Sequence, residues 1–458
     1  MRLQAVNIAG AGLAGALLAV LLGRRGIAVN VFERRPDPRA HAADAGRSIN
    51  LALAARGIRA LEQAGLMEQV RPTLLPMRGR MIHDPEVSST PRLLPYGQRE
   101  AEVIYSVGRA ALNRVLIEAA ASLPQVRLHF DTSCTEVDVP SGSLRLVDNR
   151  TGVERTLSDS VTIAADGAGS AVRGSLARAG RVSVCELPLE HDYKEFHIPP
   201  RGGQYALYPE ALHVWPRHGF MLIALPNPDR SFTATLFLPQ TGDPGFDTLS
   251  GAAAVQEFFQ RQFATAAALI PDLVAQFRNH PAGHLGTIHA DPWACGAVLL
   301  LGDAAHAIVP FHGQGMNAAF EDCALLDALV AGAGPHGNWP EIFARFSRTR
   351  HGDTEAIAQM ALENYAEMRS AVLDARFLRH QAWALQLERL HPTRFIPRYA
   401  MVMFHPEISY SEALRRGAVQ QQILAQLDAQ RAPGGTDHSA PLSAAELTRA
   451  QQLIAAQL

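Results

Sequence analysis

The chain has 458 residues, 47% of them hydrophobic and 19% charged, with a formal net charge of -2. That length and apolar content can bury a large core and suggest roughly two to four domains, while the near-neutral charge leaves no electrostatic footprint for nucleic acid or an anionic membrane. Cys134, Cys185, Cys295 and Cys323 are scattered without a CxxC pair, and the 18 histidines show no HExxH spacing. Buried thiols in a reducing compartment are therefore expected, and neither disulfides nor a zinc site.

The chain opens with VNIAGAGLAGALLAVLLGRRGIAVNVFERR, a short apolar run, a glycine turn, an apolar helix and an alternating run ending at Glu33. In such a strand–turn–helix–strand unit Gly10 makes the tight turn, Gly12 admits a pyrophosphate and Gly15 lets the helix pack closely. Glu33 can accept from adenosine ribose hydroxyls, which favours FAD or NAD over NADP as the tightly held nucleotide. A secretion signal is the rival reading. Against it, three glycines interrupt the stretch, Arg24 and Arg25 follow rather than precede it, and the apolar part is too short to span a bilayer.

Further along, VTIAADGAGSAVR (161–173) repeats the pattern of an apolar strand ending in Asp166 and Gly167. From about Val182 to Gln240 short alternating runs (ALHVWP, FMLIALP, SFTATLFLP) suggest an antiparallel sheet. Residues Ala252 to Asn279 look helical, and a strand near Val298 returns the chain to the first domain. It leads into LLLGDAAHAIVPFHGQGMNAAFEDC, where Gly302 lets the backbone approach a ligand and Asp303 offers a carboxylate to ribityl or ribose hydroxyls. Gly313, Gln314 and Gly315 then open a helix near Met316 whose free amides favour the negative pyrimidine edge of a reduced flavin. Taken alone, this is also what an ordinary strand-to-helix connection looks like. The remainder reads as helical, broken by Pro335 and Pro340 and by Pro392 and Pro397, with a linker from Ala432 to Pro441 before a short amphipathic helix.

GAGLAG with Glu33, AADGAG and GDAAH together resemble the FAD-dependent aromatic hydroxylases, the single-component flavoprotein monooxygenases. GRSINLALAARG, PMRGRMIHD, YSVGRAALN, PFHGQGMNAAFEDC, ENYAEMR and FIPRYAMVMF narrow the resemblance to the kynurenine 3-monooxygenase family, bacterial-type, over roughly residues 5 to 410. The fold implied is α/β. It has a Rossmann-like FAD-binding domain (1–180 and 286–330), an antiparallel β-sheet substrate domain (181–285) and a helical C-terminal region (331–458). Implied flavin contacts are Gly10, Gly12, Leu13, Ala14, Gly15, Glu33, Arg34, Arg35, Ala52, Arg109, Cys134, Asp166, Gly302, Asp303, Gly315, Met316 and Asn317. For Arg109 the bland alternative is a helix-capping charge.

The activity implied is hydroxylation of L-kynurenine to 3-hydroxykynurenine with NADPH and O2 through a flavin C4a-hydroperoxide, in tryptophan degradation and NAD biosynthesis. Arg80 matches the family's carboxylate clamp, helped by Tyr96 and Tyr399, and a guanidinium fork suits a carboxylate geometrically. Without the family, Arg78 and Arg80 share one face of a predicted strand and read as surface charges; only the resemblance selects Arg80. Asn364 stands out in the otherwise apolar stripe Ile357, Met360, Ala361, Met368, Ala371, Val372, so its amide needs either a structural partner or a ligand. Leu212, Ile223, Leu225 and Phe237, with Phe311 and His312 beneath the flavin, are expected to wall the ring. His312 and Gln314 are expected to shape the reacting edge without acting as an essential base, because the substrate's own amino group activates its ring.

NADPH is implied by the family, yet no second dinucleotide fingerprint is visible, so a transient groove is expected. His312 departs from the phenylalanine expected of animal relatives, and DPEVSSTPRLLP sets an individual loop between Arg80 and Tyr96. The C-terminal LSAAELTRAQQLIAAQL is amphipathic rather than a membrane anchor, giving the expectation of a cytoplasmic protein. The residues set no oligomeric state, a homodimer being one option. Two other readings stay open: a related hydroxylase of another anthranilate-like or phenolic substrate, and a non-hydroxylating FAD-binding protein.

Overall fold

The computed structural model describes residues 5–40, 50–86, 90–139, 143–158, 161–334, 337–370, 374–431 and 441–458. Two compact units account for the chain. The first comprises Met1–Leu75, Tyr105–Leu189 and Leu285–Ala358; the second comprises Pro76–Ile104, Glu190–His284 and Gln359–Leu458. These limits differ from the three-part sequence reading. Residues from Pro76 on join the second unit because strand Gly79–Ile82 pairs with Leu212–Pro216.

The first unit is built on a six-stranded sheet in the order Ala294–Cys295, Val298–Leu300, Val161–Ala164, Val6–Ala9, Val29–Phe32, Val126–His129. Its strands run parallel except for the first pair. The run Val6–Ala9 is buried at every position, as expected for a strand covered on both faces. Helix Leu13–Arg24 is buried without interruption from Gly15 to Gly23, so it reads as apolar all round rather than as an amphipathic surface helix. Beside this sheet, Thr132–Asp138, Ser143–Asp148 and Glu154–Leu157 form an antiparallel meander.

The second unit holds the strands Phe232–Pro239, Met221–Pro226, Leu212–Pro216, Gly79–Ile82 and Arg92–Pro95, which complete a seven-stranded sheet begun by Gly283–Asp291 and Ser183–Ile198. The three runs read as strands from their alternation are its centre and are antiparallel, but Leu212–Pro216 and Gly79–Ile82 are parallel. One face, with Trp215, Leu222, Phe232 and Leu236, packs on Phe258, Phe259 and Phe263. The expected helix over 252–279 is two helices, Ala252–Ala267 and Leu273–Asn279. Pro271 between them disfavours helical backbone at Ile270.

Helices Trp339–Arg369, Ala375–Leu390, Arg398–Phe404, Tyr410–Ala429 and Ala444–Gln457 follow, and Trp383, Leu387, Phe395, Ile423, Leu427 and Ile454 share an apolar cluster. The last helix opens on a capping box between Ser443 and Glu446. The expected linker from Ala432 lies outside the described residues, apart from Pro441. Among the described residues no helix is long and apolar enough to cross a membrane.

Candidate active site

All predicted flavin contacts lie in the first unit. Gly10 has φ +97, and a Cβ there would stand 2.4 Å from the carbonyl oxygen of Ala165. At Gly15 a Cβ would meet the Gly10 oxygen at 2.0 Å, whereas Gly12 has nothing within 4 Å. Two glycines thus close the turn and the third leaves space beside the start of helix Leu13–Arg24, where no side chain caps the free amides of the first turn, Leu13 and Ala14 included. Glu33 is buried, and its carboxylate accepts from Ala11 N at 2.9 Å, Arg35 N at 3.0 Å and Arg35 Nε at 2.8 Å. Burial raises its pKa, but the bonds from Arg35 and Ala11 outweigh that and hold it below the ordinary value. Arg34 is exposed, with its carbonyl taken by Asn149.

The second loop places Asp166 Oδ2 on the amides of Ala171 (2.9 Å) and Val172 (3.4 Å), while Oδ1 is buried without a hydrogen-bond partner among the described residues. Burial pushes its carboxyl up. Cys134 stands near it and is driven up to about 12, first by burial and then by Asp166, so the thiol stays neutral.

The third loop begins at Gly302 (φ +60) and carries Asp303, which is open to solvent but set amid protein that pushes its carboxyl up against the opposing pull of His306 and Arg109. Arg109 is the exposed first residue of helix Arg109–Ala121. A cation there opposes the helix dipole, so the capping reading gives it no purpose. Helix Gly315–Ala333 starts without a side-chain cap, leaving the amides of its first turn, Gly315 and Met316 among them, available. Asn317 is saturated by backbone: it accepts from Ala54 N (2.9 Å) and donates to Ala52 O and Gly313 O (2.8 Å each). It fixes the loop rather than offering its side chain. Phe311, His312 and Gln314 are buried just ahead of this helix. Open space at Gly12, two uncapped helix starts, and carboxylates at Glu33, Asp166 and Asp303 fit a dinucleotide carrying a pyrophosphate, a ribityl chain and ribose hydroxyls.

The amino-acid clamp expected from Arg80 lies in the second unit. Strand alternation puts Arg80, Leu212, Ile223, Leu225 and Phe237 on one face of the seven-stranded sheet, opposite the Phe258 core, through the pairs Leu212↔Arg80, Val214↔Ile223, Leu225↔Thr233 and Phe237↔Met221. Arg80 Nη1 donates to Glu367 Oε1 at 2.9 Å and Nη2 to Asn364 Oδ1 at 3.1 Å. Its guanidinium lies 4.9 Å from the Tyr399 ring centre and 5.9 Å from that of Tyr96, and the two rings stack at 5.3 Å. Burial works against the charge, but the Tyr399 ring face and the Glu367 carboxylate outweigh it and hold Arg80 protonated. Burial also raises both phenols, so they stay proton donors.

Arg78, by contrast, precedes the strand and makes an exposed pair with Glu210 at 2.8 Å. Burial and partner separate the two arginines: Arg78 is exposed and Arg80 is buried.

The profile of the FAD binding domain family matches residues 3–333. A kynurenine 3-monooxygenase of Xanthomonas campestris pv. campestris (strain 8004) is 46% identical over 424 residues, covering 92% of this chain and 91% of that one. That of Xanthomonas axonopodis pv. citri (strain 306) is 47% identical over 426 residues, 92% of each. The chain belongs to the kynurenine 3-monooxygenase family. Among solved structures, 2-methyl-3-hydroxypyridine-5-carboxylic acid oxygenase superposes with a TM-score of 0.64 at 19% identity, covering 84% of this chain and 97% of that one. PqsL of P. aeruginosa in complex with 2-aminobenzoylacetate does so at 0.64 and 23%, covering 81% and 99%. These share the fold.

In this member of the kynurenine 3-monooxygenase family, sequence reading missed Glu367 and took Met368 only as part of the apolar stripe. Glu367 lies three residues after Asn364 on one helix face, a spacing that could have revealed it. Met368 Sδ takes the Asn364 amide at 3.4 Å. Also missed was Arg173, which donates to Ala304 O at 3.1 Å and to Ala168 O, tying the Asp166 and Asp303 loops together.

Proposed function

We propose that the protein hydroxylates L-kynurenine to 3-hydroxykynurenine, with NADPH as the transient reductant and O2 as the oxygen source. The observation that carries this is the buried cation clamp: Arg80 Nε is buried without a hydrogen-bond partner among the described residues, and the Tyr96 hydroxyl beside it meets only Arg80 and Tyr399, although acceptors are the natural complement of both donors. A substrate carboxylate supplies those acceptors. Each charge-assisted bond contributes about 1.5 to 3 kcal/mol. Glu367, which holds Arg80 in the free protein, is then released to take the substrate's ammonium, and Asn364 keeps its orientation through Arg80.

Leu212, Ile223, Leu225 and Phe237 give the sheet an apolar face beside this clamp, suited to an aromatic ring. In the first unit, Glu33, Asp166, Asp303 and the amides of the two uncapped helices would hold FAD, which when bound and reduced by the nicotinamide supplies activated oxygen. Phe311, His312 and Gln314 exclude water and shape the reacting edge, and no residue need remove a proton from the ring beforehand because the substrate amine donates electron density to it. The proposal includes a cytoplasmic setting, in keeping with four unpaired thiols.

The test is NADPH consumption by the FAD-loaded protein in air, with and without L-kynurenine, measuring hydroxylated product and hydrogen peroxide. Stimulated consumption matched by 3-hydroxykynurenine is expected. Stimulation yielding only peroxide would move the substrate to another aromatic amino acid or acid, and no stimulation would overturn the proposal.

A further inference from the structure

Asp322 is fully buried in helix Gly315–Ala333 and has no part in the chemistry above. Its Oδ2 lies 2.6 Å from His306 Nε2, at the end of the short helix Asp303–His306, and 3.3 Å from the amide of Gly302, which precedes it. Its Oδ1 takes Arg350 Nε at 2.8 Å, and Arg350 Nη1 reaches Glu321 Oε2 at 2.8 Å. Glu321 in turn takes Arg56 Nη1 at 2.6 Å, from the helix that follows Ala52. Trp293 packs over His306 with ring centres 4.9 Å apart.

So many buried charges bring little net stability in themselves, since desolvation offsets their attraction. What they do is fix geometry. One carboxylate locks the loop bearing Asp303 to the helix that starts, without a side-chain cap, at Gly315. Gly302 has φ +60, so that loop has backbone freedom that must be removed by something other than its own residues.

We infer that Asp322, acting through His306 and Gly302, is a positioning residue that presets the Asp303 carboxylate for the hydroxyl-bearing chain of the flavin nucleotide. The inference rests on the reading of Asp303 as a flavin contact. A change at Asp322 therefore acts on cofactor affinity only by way of Asp303.

The experiment titrates apoprotein with FAD, following quenching of flavin fluorescence and the visible circular dichroism of the bound flavin. It uses Asp303→Asn, Asp322→Asn, His306→Gln and the double variant Asp303→Asn/Asp322→Asn, with the melting midpoint of each apoprotein. Asp322→Asn and His306→Gln are expected to weaken FAD binding at least about tenfold and to alter the dichroism. The double variant is expected to bind within about twofold of Asp303→Asn alone, as coupled residues do. Penalties that multiply, or a lowered melting midpoint with unchanged FAD affinity and dichroism, would overturn the inference. An unchanged affinity in Asp303→Asn would overturn the reading beneath it and the inference with it. A weakened Asp303→Asn beside an unchanged Asp322→Asn would sink the inference alone. Should Asp322→Asn fail to fold, His306→Gln answers the question, because it leaves the Asp322–Arg350 pair intact.

Discussion

Arg80 spends the free state between Glu367 and Asn364 with two aromatic rings beside it. Arg80→Ala is expected to raise the apparent KM for kynurenine at least about tenfold, equivalent to about 1.4 kcal/mol, while FAD stays bound. An unchanged KM would put the carboxylate elsewhere. Arg80→Lys should not restore it, since a point charge cannot reproduce the fork. If Glu367 takes the ammonium, Glu367→Gln should narrow the preference for kynurenine over its deaminated analogue by about tenfold; an equal loss for both compounds would leave Glu367 only the task of holding Arg80. For His312, loss of turnover by the same factor at every pH in His312→Ala is the outcome that fits a shaping residue. Selective loss of one limb of the pH profile would mark it as a base.

Two elements of the second unit carry buried polar contacts of their own. Helix Leu273–Asn279 ends on Lys194, whose ammonium donates to Phe277 O at 2.9 Å and His280 O at 2.6 Å and lies 4.9 Å from the Phe277 ring centre. Lys194→Met should destabilise the protein by about 1 to 2 kcal/mol, since terminal carbonyls lose their cation; an unchanged urea midpoint would contradict this. Strand Gly79–Ile82 is joined to Leu212–Pro216 by a buried histidine pair, His83 Nε2 to His213 Nδ1 at 2.8 Å. His213 Nε2 faces the Tyr208 carbonyl at 2.8 Å, which can only accept. Nε2 of His213 must then carry the hydrogen, so His83 donates to His213. Burial lowers His83 to about 3 and His213 to about 4 from 6.5. Between those values the unfolded chain binds more protons than the native one. Stability is therefore fully present above about pH 6.5 and is lost as pH falls toward 4 and then 3. His213→Gln should make the acid limb of the melting curve against pH shallower, and an unchanged slope would exclude the pair as its source.

The molecule as a whole carries the proposed nucleotide cradle in one unit and the proposed amino-acid clamp in the other. FAD at about a hundred times its dissociation constant should stabilise the native state by about 2.7 kcal/mol, seen as a rise in melting midpoint; no rise would mean no preference for the native fold. Much of the cradle was legible from residues. Gly10, Gly12, Gly15 and Glu33 act over a short stretch, where backbone geometry and local spacing decide the outcome, and the apolar runs at Val6, Val161 and Val298 announced the strands that meet side by side. The alternating runs at Leu212, Met221 and Phe232 likewise predicted strands whose register now aligns Arg80 with Leu212. Periodicity by itself therefore determined element type, the buried faces and the glycine loops, because these depend on neighbours within a few residues. It could not separate Arg78 from Arg80, pair Arg80 with Glu367 across 287 positions, or join Asp322 to His306 and Arg350. Those choices were decided by tertiary structure, since the burial of a charge and the identity of its partner depend on which distant segments the fold brings within hydrogen-bond reach.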